Sequence, residues 1–134
     1  LLPVLVFLLA ALVAFSIGTS WTTMAILLPT MVPVAFDMGQ LPLSVLVAAA
    51  VLDGAIFGDH CSPISDTTVL SSIASSCDHL AHVKTQMPYA LATMLVAAVF
   101  GYVGTTLLYP SYVGLLLGFV ALVLLLRLIG KSPD

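Results

Sequence analysis

Charged side chains are scarce in this sequence, and glutamate is missing altogether. Charged residues make up 7% of the 134 positions, whereas a soluble domain carries about 25%. Apolar residues make up 61%, and the mean hydropathy is +1.23. So few charges cannot cover a water-facing surface, and three bases (Lys84, Arg127, Lys131) cannot form a patch that binds nucleic acid. The composition therefore predicts a membrane protein.

Cysteine is scarce as well. Cys61 and Cys77 lie sixteen positions apart, and neither belongs to a CxxC pair. A structural zinc site or a redox motif is therefore not indicated, and no cofactor is expected. We expect both cysteines to be small residues in helix packing.

Segments of alternating polarity are also missing, which excludes an outer-membrane barrel. Leu115–Leu126 shows no alternation, and the apolar runs Met87–Leu108 and Tyr112–Ile129 approach the ~20 residues that a helix needs to cross the hydrocarbon. The pattern predicts an all-α transmembrane fold.

The first apolar stretch, Pro3–Phe36, is too long for one membrane-spanning helix and too short for two. Its thirty-four residues are interrupted by SIGTSWTT at Ser16–Thr23. One helix would be about 51 Å long, and each half would be only about 20 Å, against a core of about 30 Å. This favours a re-entrant helical hairpin over 1–36, with Gly18 giving the tip its backbone freedom.

A discontinuous membrane helix is expected next, over 43–76, after a surface loop at Asp37–Pro42. Leu43–Phe57 is apolar and about 22 Å long as a helix. The helix is expected to stop at Gly58, because Pro63 removes a donor and disfavours helix before it. It is expected to resume at Thr67, with Asp66 as the N-cap.

Two further spans are predicted, 88–108 and 112–129, after a polar loop at Asp78–Gln86. This puts Lys84 on the same side as Arg127 and Lys131, and the positive-inside rule makes that side, with the C-terminus, cytoplasmic. The chain opens at Leu1 inside an apolar run. We therefore expect 1–134 to be a single membrane domain at the C-terminal end of a longer protein.

The most informative motif is GDHCSPISDTT at Gly58–Thr68. An ionisable residue at membrane depth costs at least ~2.5–3.5 kcal/mol, so two acids and a histidine there need a cation, a proton or water. Between Gly58 and Thr67, where the helix is expected to be interrupted, backbone carbonyl and carboxylate oxygens could bind a cation. The alternative is a plain surface loop between two short helices.

The two acids of this motif are open to different roles. As an N-cap, Asp66 would be held ionised by amide donors, and capping alone is an equal alternative. Asp59 lacks that support and is favoured as the proton-exchanging acid. His60 either relays protons or pairs with an acid, and Asp53 has no assigned role.

Hydroxyls at the hairpin tip are the second group of candidates. Ser/Thr oxygens and carbonyls beside Gly18 can bind sodium, or they can merely satisfy the turn's own backbone. His79 and His82, three positions apart, share a helix face. A role in pH sensing or metal binding competes there with a plain solvated loop.

These motifs resemble a known family. GTSW at Gly18–Trp21, PTMVP at Pro29–Pro33, GDHCSPISDTT and CDHLAHVKTQMPYAL at Cys77–Leu91 are similar to the C-terminal half of NhaC-type sodium/proton antiporters, in a wider ion-transporter superfamily. The resemblance covers Ser16 to Leu91, and the eleven-residue run is its most specific part.

The resemblance implies a multi-pass carrier of the cytoplasmic membrane, built from two inverted repeats, whose second repeat is this chain. It implies sodium and proton as partners, with the missing N-terminal repeat. A small organic acid, as in malate/lactate exchange, and a second copy of the chain are further candidates. The ion- and substrate-binding residues it implies are Gly18, Thr19, Ser20, Asp59, His60, Ser62, Ser65, Asp66, Thr67 and Thr68. Asp59 and Asp66 are our candidate ligands of transported sodium, and the resemblance does not say which acid ligates and which carries the proton.

Two enzyme classes compete with transport. An intramembrane aspartyl protease also needs two membrane acids, but on neighbouring helices and one proton apart. A metalloenzyme would use Asp59, His60 and Cys61, yet adjacent residues rarely converge on one metal, and no HExxH spacing occurs. We therefore expect no enzyme.

Overall fold

A computed structural model describes the backbone of residues 1–129, with all their side chains except those of Gln40 and Ile129. All regular structure in this part of the chain is helical, which confirms the expected all-α class. The helices are α1 (Leu2–Ile17), α2 (Ser20–Cys61), α3 (Asp66–Ala74), α4 (His79–Val96), α5 (Gly104–Leu107) and α6 (Ser111–Ile129), with a π-helical segment, Ala97–Val103, between α4 and α5. Four stretches are long and apolar enough to cross a bilayer: Ser20–Gly39, Leu41–Cys61, His79–Leu107 and Ser111–Leu128.

Helix α2 doubles back on itself. As a straight rod its 42 residues would measure about 63 Å, yet the Ser20 hydroxyl at its start donates to Asp59 near its end at 3.2 Å. Two arms of equal length put the reversal close to Gly39. Pro42 lies just beyond and cannot donate a helical hydrogen bond, so it weakens the helix there. We call Ser20–Gly39 the first arm and Leu41–Cys61 the second arm.

The surface loop expected at Asp37–Pro42 is therefore wrong as secondary structure, because helical residues run through the reversal. Each arm is also longer than expected. With 20 and 21 residues, the arms are about 30 Å long, enough to cross the hydrocarbon. The length argument for half-helices fails, since it ended one helix at Phe36 and began the next at Leu43.

Helix α1 packs in parallel against the second arm. Gly54 lies under the Phe7 carbonyl and Gly58 under the Ala11 carbonyl, so the register advances equally along both helices. A Cβ on either glycine would collide with the backbone of α1. The contact is close because small residues line it, as is common between membrane helices. This packing brings the end of α1 beside the end of α2.

The expected break is present but shorter than expected. Helix α2 continues past Gly58 to Cys61, and α3 begins at Asp66, which leaves four non-helical residues, Ser62–Ser65. Ser65, not Asp66, occupies the N-cap position, and its side chain makes no capping bond because it turns to Asp59. The predicted N-cap role of Asp66 is wrong, since Asp66 is the first residue of the helix.

The polar loop expected at Asp78–Gln86 is mostly helical, because α4 begins at His79, directly after Asp78. Its carboxylate accepts the Ala81 N–H at 2.8 Å, and its carbonyl accepts the His82 N–H at 2.9 Å. The carboxylate supplies a partner for an amide of the first turn that has none within the helix, and the carbonyl accepts the first helical hydrogen bond.

The helices form two compact units, residues 1–91 and the residues from Ala92 onward. In the second unit residues 108–110 join α5 to α6. The Tyr109 hydroxyl donates to the Phe100 carbonyl at 2.9 Å, in the π-helical segment. Lys131, which was predicted to lie on the cytoplasmic side, is outside the described residues.

Candidate functional site

Asp59 lies in the last turn of α2 and is buried, with 5% of its surface exposed. Its neighbour Gly58 packs so closely against α1 that an added Cβ would collide with the Ala11 carbonyl. A buried carboxylate is costly unless it is paired or hydrogen-bonded. Its partners therefore indicate what the site can do.

Three hydroxyls from separate parts of the chain contact the Asp59 carboxylate. Ser65 donates to Oδ1 at 2.7 Å, Ser20 to Oδ2 at 3.2 Å, and Thr67 to Oδ2 at 3.4 Å. Ser65 and Thr67 are also 2.7 Å apart. No basic side chain is among the Asp59 partners in residues 1–129. We call Ser20, Asp59, Ser65 and Thr67 the carboxylate cluster.

Gly18 brings the start of α2 to this cluster. It ends α1 in the left-handed conformation, with φ +77°, and its N–H donates to the Ala14 carbonyl at 2.7 Å. A Cβ here would lie 2.8 Å from the Ile64 carbonyl oxygen, so the turn and the break touch. Thr19 is extended and serves as the N-cap position of α2. Its carbonyl accepts the Thr23 hydroxyl at 3.0 Å.

Ser62 and Thr68 are buried but do not reach the carboxylate. The Ser62 hydroxyl donates to the Phe15 carbonyl at 2.8 Å and accepts the Ile64 N–H at 3.3 Å, which ties the break to the end of α1. The Thr68 carbonyl accepts the Ser72 hydroxyl at 2.7 Å. Both residues hold the backbone around the cluster.

His60 and Asp66 lie outside the cluster. His60 is exposed and donates Nδ1–H to the Ile56 carbonyl of its own helix at 3.0 Å, so it does not pair with an acid through this nitrogen. Asp66 is exposed and is not a partner of Asp59. Asp53 is exposed on the second arm. The structure thus brings together four of the sequence-predicted residues and separates the two acids of the motif.

A second polar group was missed by sequence reasoning, which gave His79 and His82 only a shared helix face. The Ser72 hydroxyl lies 2.8 Å from His82 Nδ1 and 3.2 Å from His79 Nδ1. His79 Nε2 lies 2.6 Å from the Pro63 carbonyl in the break. The sequence did contain a signal for this group, namely Ser72 followed by two histidines that are three positions apart. The fold of the loop that joins them could not be inferred.

The carboxylate cluster is made only of oxygen ligands. A hydroxyl can donate to an ionised carboxylate and can also offer a lone pair to a cation or an acid proton. Hard cations such as sodium prefer such oxygens. No group of three or more His, Cys, Asp or Glu side chains in residues 1–129 is arranged to hold a metal ion. The chemistry suits exchange of a small cation and a proton.

Comparison with known proteins agrees with this chemistry. The sequence profile of the Na+/H+ antiporter family matches residues 1–105. The chain is 44% identical over 130 residues, 97% of its length, to an uncharacterized protein of Haemophilus influenzae, of which it covers 25%. It is 42% identical over 99 residues, 70% of its length, to the malate-2H(+)/Na(+)-lactate antiporter of Bacillus subtilis, of which it covers 21%.

A third relative is named for a different cargo. The chain is 38% identical over 90 residues, 67% of its length, to the arginine/ornithine antiporter ArcD of Halobacterium salinarum, of which it covers 18%. The chain thus spans a quarter or less of the length of each of these three relatives. No solved structure matches it. The relationship inferred from the sequence motifs is confirmed.

Proposed function

The chain belongs to the Na+/H+ antiporter family, and from this premise we propose that it supplies the Asp59 ion site of a carrier that exchanges sodium for protons. The observation that carries the proposal is the buried carboxylate surrounded by hydroxyls. A fixed cation beside Asp59 would hold it ionised, whereas hydroxyls serve its charged and neutral forms alike.

Sodium and proton compete for Asp59 in this mechanism. When sodium enters, the Asp59 oxygens and the hydroxyl lone pairs of Ser20, Ser65 and Thr67 ligate it, with carbonyls of Ser62–Ser65 available nearby. When a proton replaces sodium, the neutral acid donates to a hydroxyl or carbonyl. We assign exchange to Asp59 alone, because Asp66 is exposed and outside the cluster.

Hairpin re-entry is part of the proposal, and it rests on contact rather than on length, because the first arm is long enough to span the hydrocarbon. The turn at Gly18–Thr19 touches the break at Ile64, as the family resemblance implies for the hairpin tip and broken helix of one inverted repeat. The first repeat would lie elsewhere in the longer carrier. We place that carrier in the cytoplasmic membrane with its C-terminus inside, as Lys84 and Arg127 predict.

A protease mechanism receives no support from the cluster. Two catalytic acids would have to share a proton at close range. Three hydroxyls contact the Asp59 carboxylate, and Asp66 is exposed on α3.

Organic-acid exchange is the second candidate, on the strength of the Bacillus subtilis relative's name. It differs from cation exchange by needing a carboxylate substrate for turnover. Sodium-driven proton movement without any organic acid would exclude it. Exchange of labelled malate for lactate, with no flux on sodium alone, would favour it.

The decisive experiment uses the full-length carrier in proteoliposomes. Internal pH is followed after a sodium jump for the wild type and for Asp59→Asn, Asp66→Asn and Asp37→Asn. We expect Asp59→Asn to abolish sodium-driven proton flux and Asp66→Asn to retain it. Asp37→Asn, at an exposed position near the reversal of α2, is the control for loss of a charge. Sodium-driven proton flux that is retained in Asp59→Asn would contradict the proposed mechanism.

A further inference from the structure

His79 connects the break to two helices. Its Nε2 contacts the Pro63 carbonyl at 2.6 Å, and its Nδ1 contacts the Ser72 hydroxyl of α3 at 3.2 Å. Pro63 lies two residues before Ser65, which donates to Asp59 at 2.7 Å. We propose that His79 is a positioning residue for the Asp59 site, and that it clamps the break through the Pro63 carbonyl. This inference rests on the proposed ion-exchange function.

The clamp uses His79 Nε2 as its donor. A carbonyl only accepts, so His79 Nε2 donates to Pro63. The Ser72 hydroxyl contacts Thr68 O at 2.7 Å, His82 Nδ1 at 2.8 Å and His79 Nδ1 at 3.2 Å. Ser72 therefore links α3 to both histidines of α4.

Groups from three elements surround His79. From α3 it meets the Ser72 hydroxyl, and from the break it meets the Pro63 carbonyl. On α4 its neighbour is His82, which shares Ser72. Asp78 precedes it in the chain and accepts the Ala81 N–H.

Two substitutions separate positioning from mere packing. His79→Ala removes every contact of the ring. His79→Gln keeps an N–H₂ donor for Pro63 and an acceptor for Ser72, and so mimics neutral histidine. Thr85→Ala is the control, because Thr85 is exposed on α4 and bonds only to carbonyls of its own helix.

The first test measures the sodium KM of proton flux with the full-length carrier in proteoliposomes. His79→Ala is expected to raise KM about tenfold, as loss of the hydrogen bond to the Pro63 carbonyl predicts. His79→Gln keeps a donor for Pro63 and should stay within about threefold of the wild type, and Thr85→Ala should match the wild type. A KM of His79→Ala equal to that of the wild type would overturn the proposal.

The second test does not depend on transport. Hydrogen exchange of the peptide that contains Cys61–Thr68 is followed by mass spectrometry in the full-length carrier. His79→Ala should speed exchange in this segment about tenfold, and Thr85→Ala should not. Unchanged exchange in His79→Ala would overturn the clamp even if the carrier moved no sodium. Absence of wild-type flux together with faster exchange would instead contradict only the proposed function.

Discussion

Ser65 donates its hydroxyl to Asp59 Oδ1 at 2.7 Å, across the four-residue break that separates α2 from α3. Ser65 stands at the N-cap position of α3, where its oxygen would ordinarily accept an amide proton from the helix. It makes no such bond. The Ser65 side chain donates to the Asp59 carboxylate instead, and the N-terminus of α3 has no side-chain cap.

Removing this hydroxyl should weaken sodium binding. Ser65→Ala leaves Asp59 Oδ1 without its shortest hydrogen bond, and a bond to a charged group contributes about 1.5–3 kcal/mol. The sodium KM of the full-length carrier should therefore rise at least about tenfold. Ser65→Thr restores a hydroxyl and should recover most of the loss.

The control for this substitution is Ser71→Ala. Ser71 is exposed on the same helix and donates only to the Thr68 carbonyl. A sodium KM that rises equally in Ser65→Ala and Ser71→Ala would show that α3 is merely destabilised, and that Ser65 has no direct role at Asp59.

Ser20 and Ser65 should be energetically coupled through Asp59. They donate to opposite oxygens of one carboxylate, from the start of α2 and from the break. In the double variant Ser20→Ala/Ser65→Ala the change in free energy of sodium binding should depart from the sum of the single changes by about 0.5–1 kcal/mol or more. The measurement is sodium KM in all four combinations. Strict additivity would mean that Ser20 does not share the site.

Composition and local chemistry were enough for part of this arrangement. The scarcity of charge predicted the membrane helices. Pro63 predicted a break between Gly58 and Thr67, and the structure confines it to Ser62–Ser65. The placement of Gly18 at a turn followed from its backbone freedom. In the structure its φ is +77°.

Other features depend on contacts that a single sequence does not reveal. The first arm ends at Gly39 and the second at Cys61, three or four residues beyond the predicted helix ends at Phe36 and Phe57. Both arms are therefore long enough to cross the hydrocarbon, where the sequence predicted half-length helices. The N-cap role of Asp66 failed because Ser65 lies one position earlier, and tertiary contact with Asp59 decides where its side chain points. The contact between His79 and Pro63 joins residues sixteen positions apart and carries no local pattern.

Gly18→Ala should destabilise the carrier. The left-handed conformation costs a residue with a Cβ about 1–2 kcal/mol. The new Cβ would in addition lie 2.8 Å from the Ile64 carbonyl oxygen. Thermal unfolding of the full-length carrier in detergent should occur at a lower temperature than in the wild type. Gly101→Ala is the matched control, because a Cβ there meets nothing within 4 Å. An unchanged midpoint for Gly18→Ala would contradict the turn.

Gly58→Ala should impair both stability and sodium binding, since Gly58 adjoins Asp59. The new Cβ would collide with the Ala11 carbonyl and would lie 2.8 Å from Ala14 Cβ, so α1 must move away from the second arm. Forced overpacking of this kind costs about 1–3 kcal/mol. The displacement also carries the Phe15 carbonyl away from Ser62, which donates to it at 2.8 Å. The unfolding midpoint should fall, and the sodium KM of the remaining folded carrier should rise.

The comparison for Gly58 is Gly118→Ala in α6. A Cβ on Gly118 finds Val96 Cγ1 at 3.9 Å, an ordinary van der Waals contact, so both the unfolding midpoint and the sodium KM should stay near the wild-type values. If Gly58→Ala lowers the midpoint but leaves the sodium KM unchanged, the packing of α1 supports the fold without positioning Asp59. If it raises KM as well, the contact between α1 and the second arm fixes the end of α2, and hence the carboxylate, at the depth where the hydroxyls meet it.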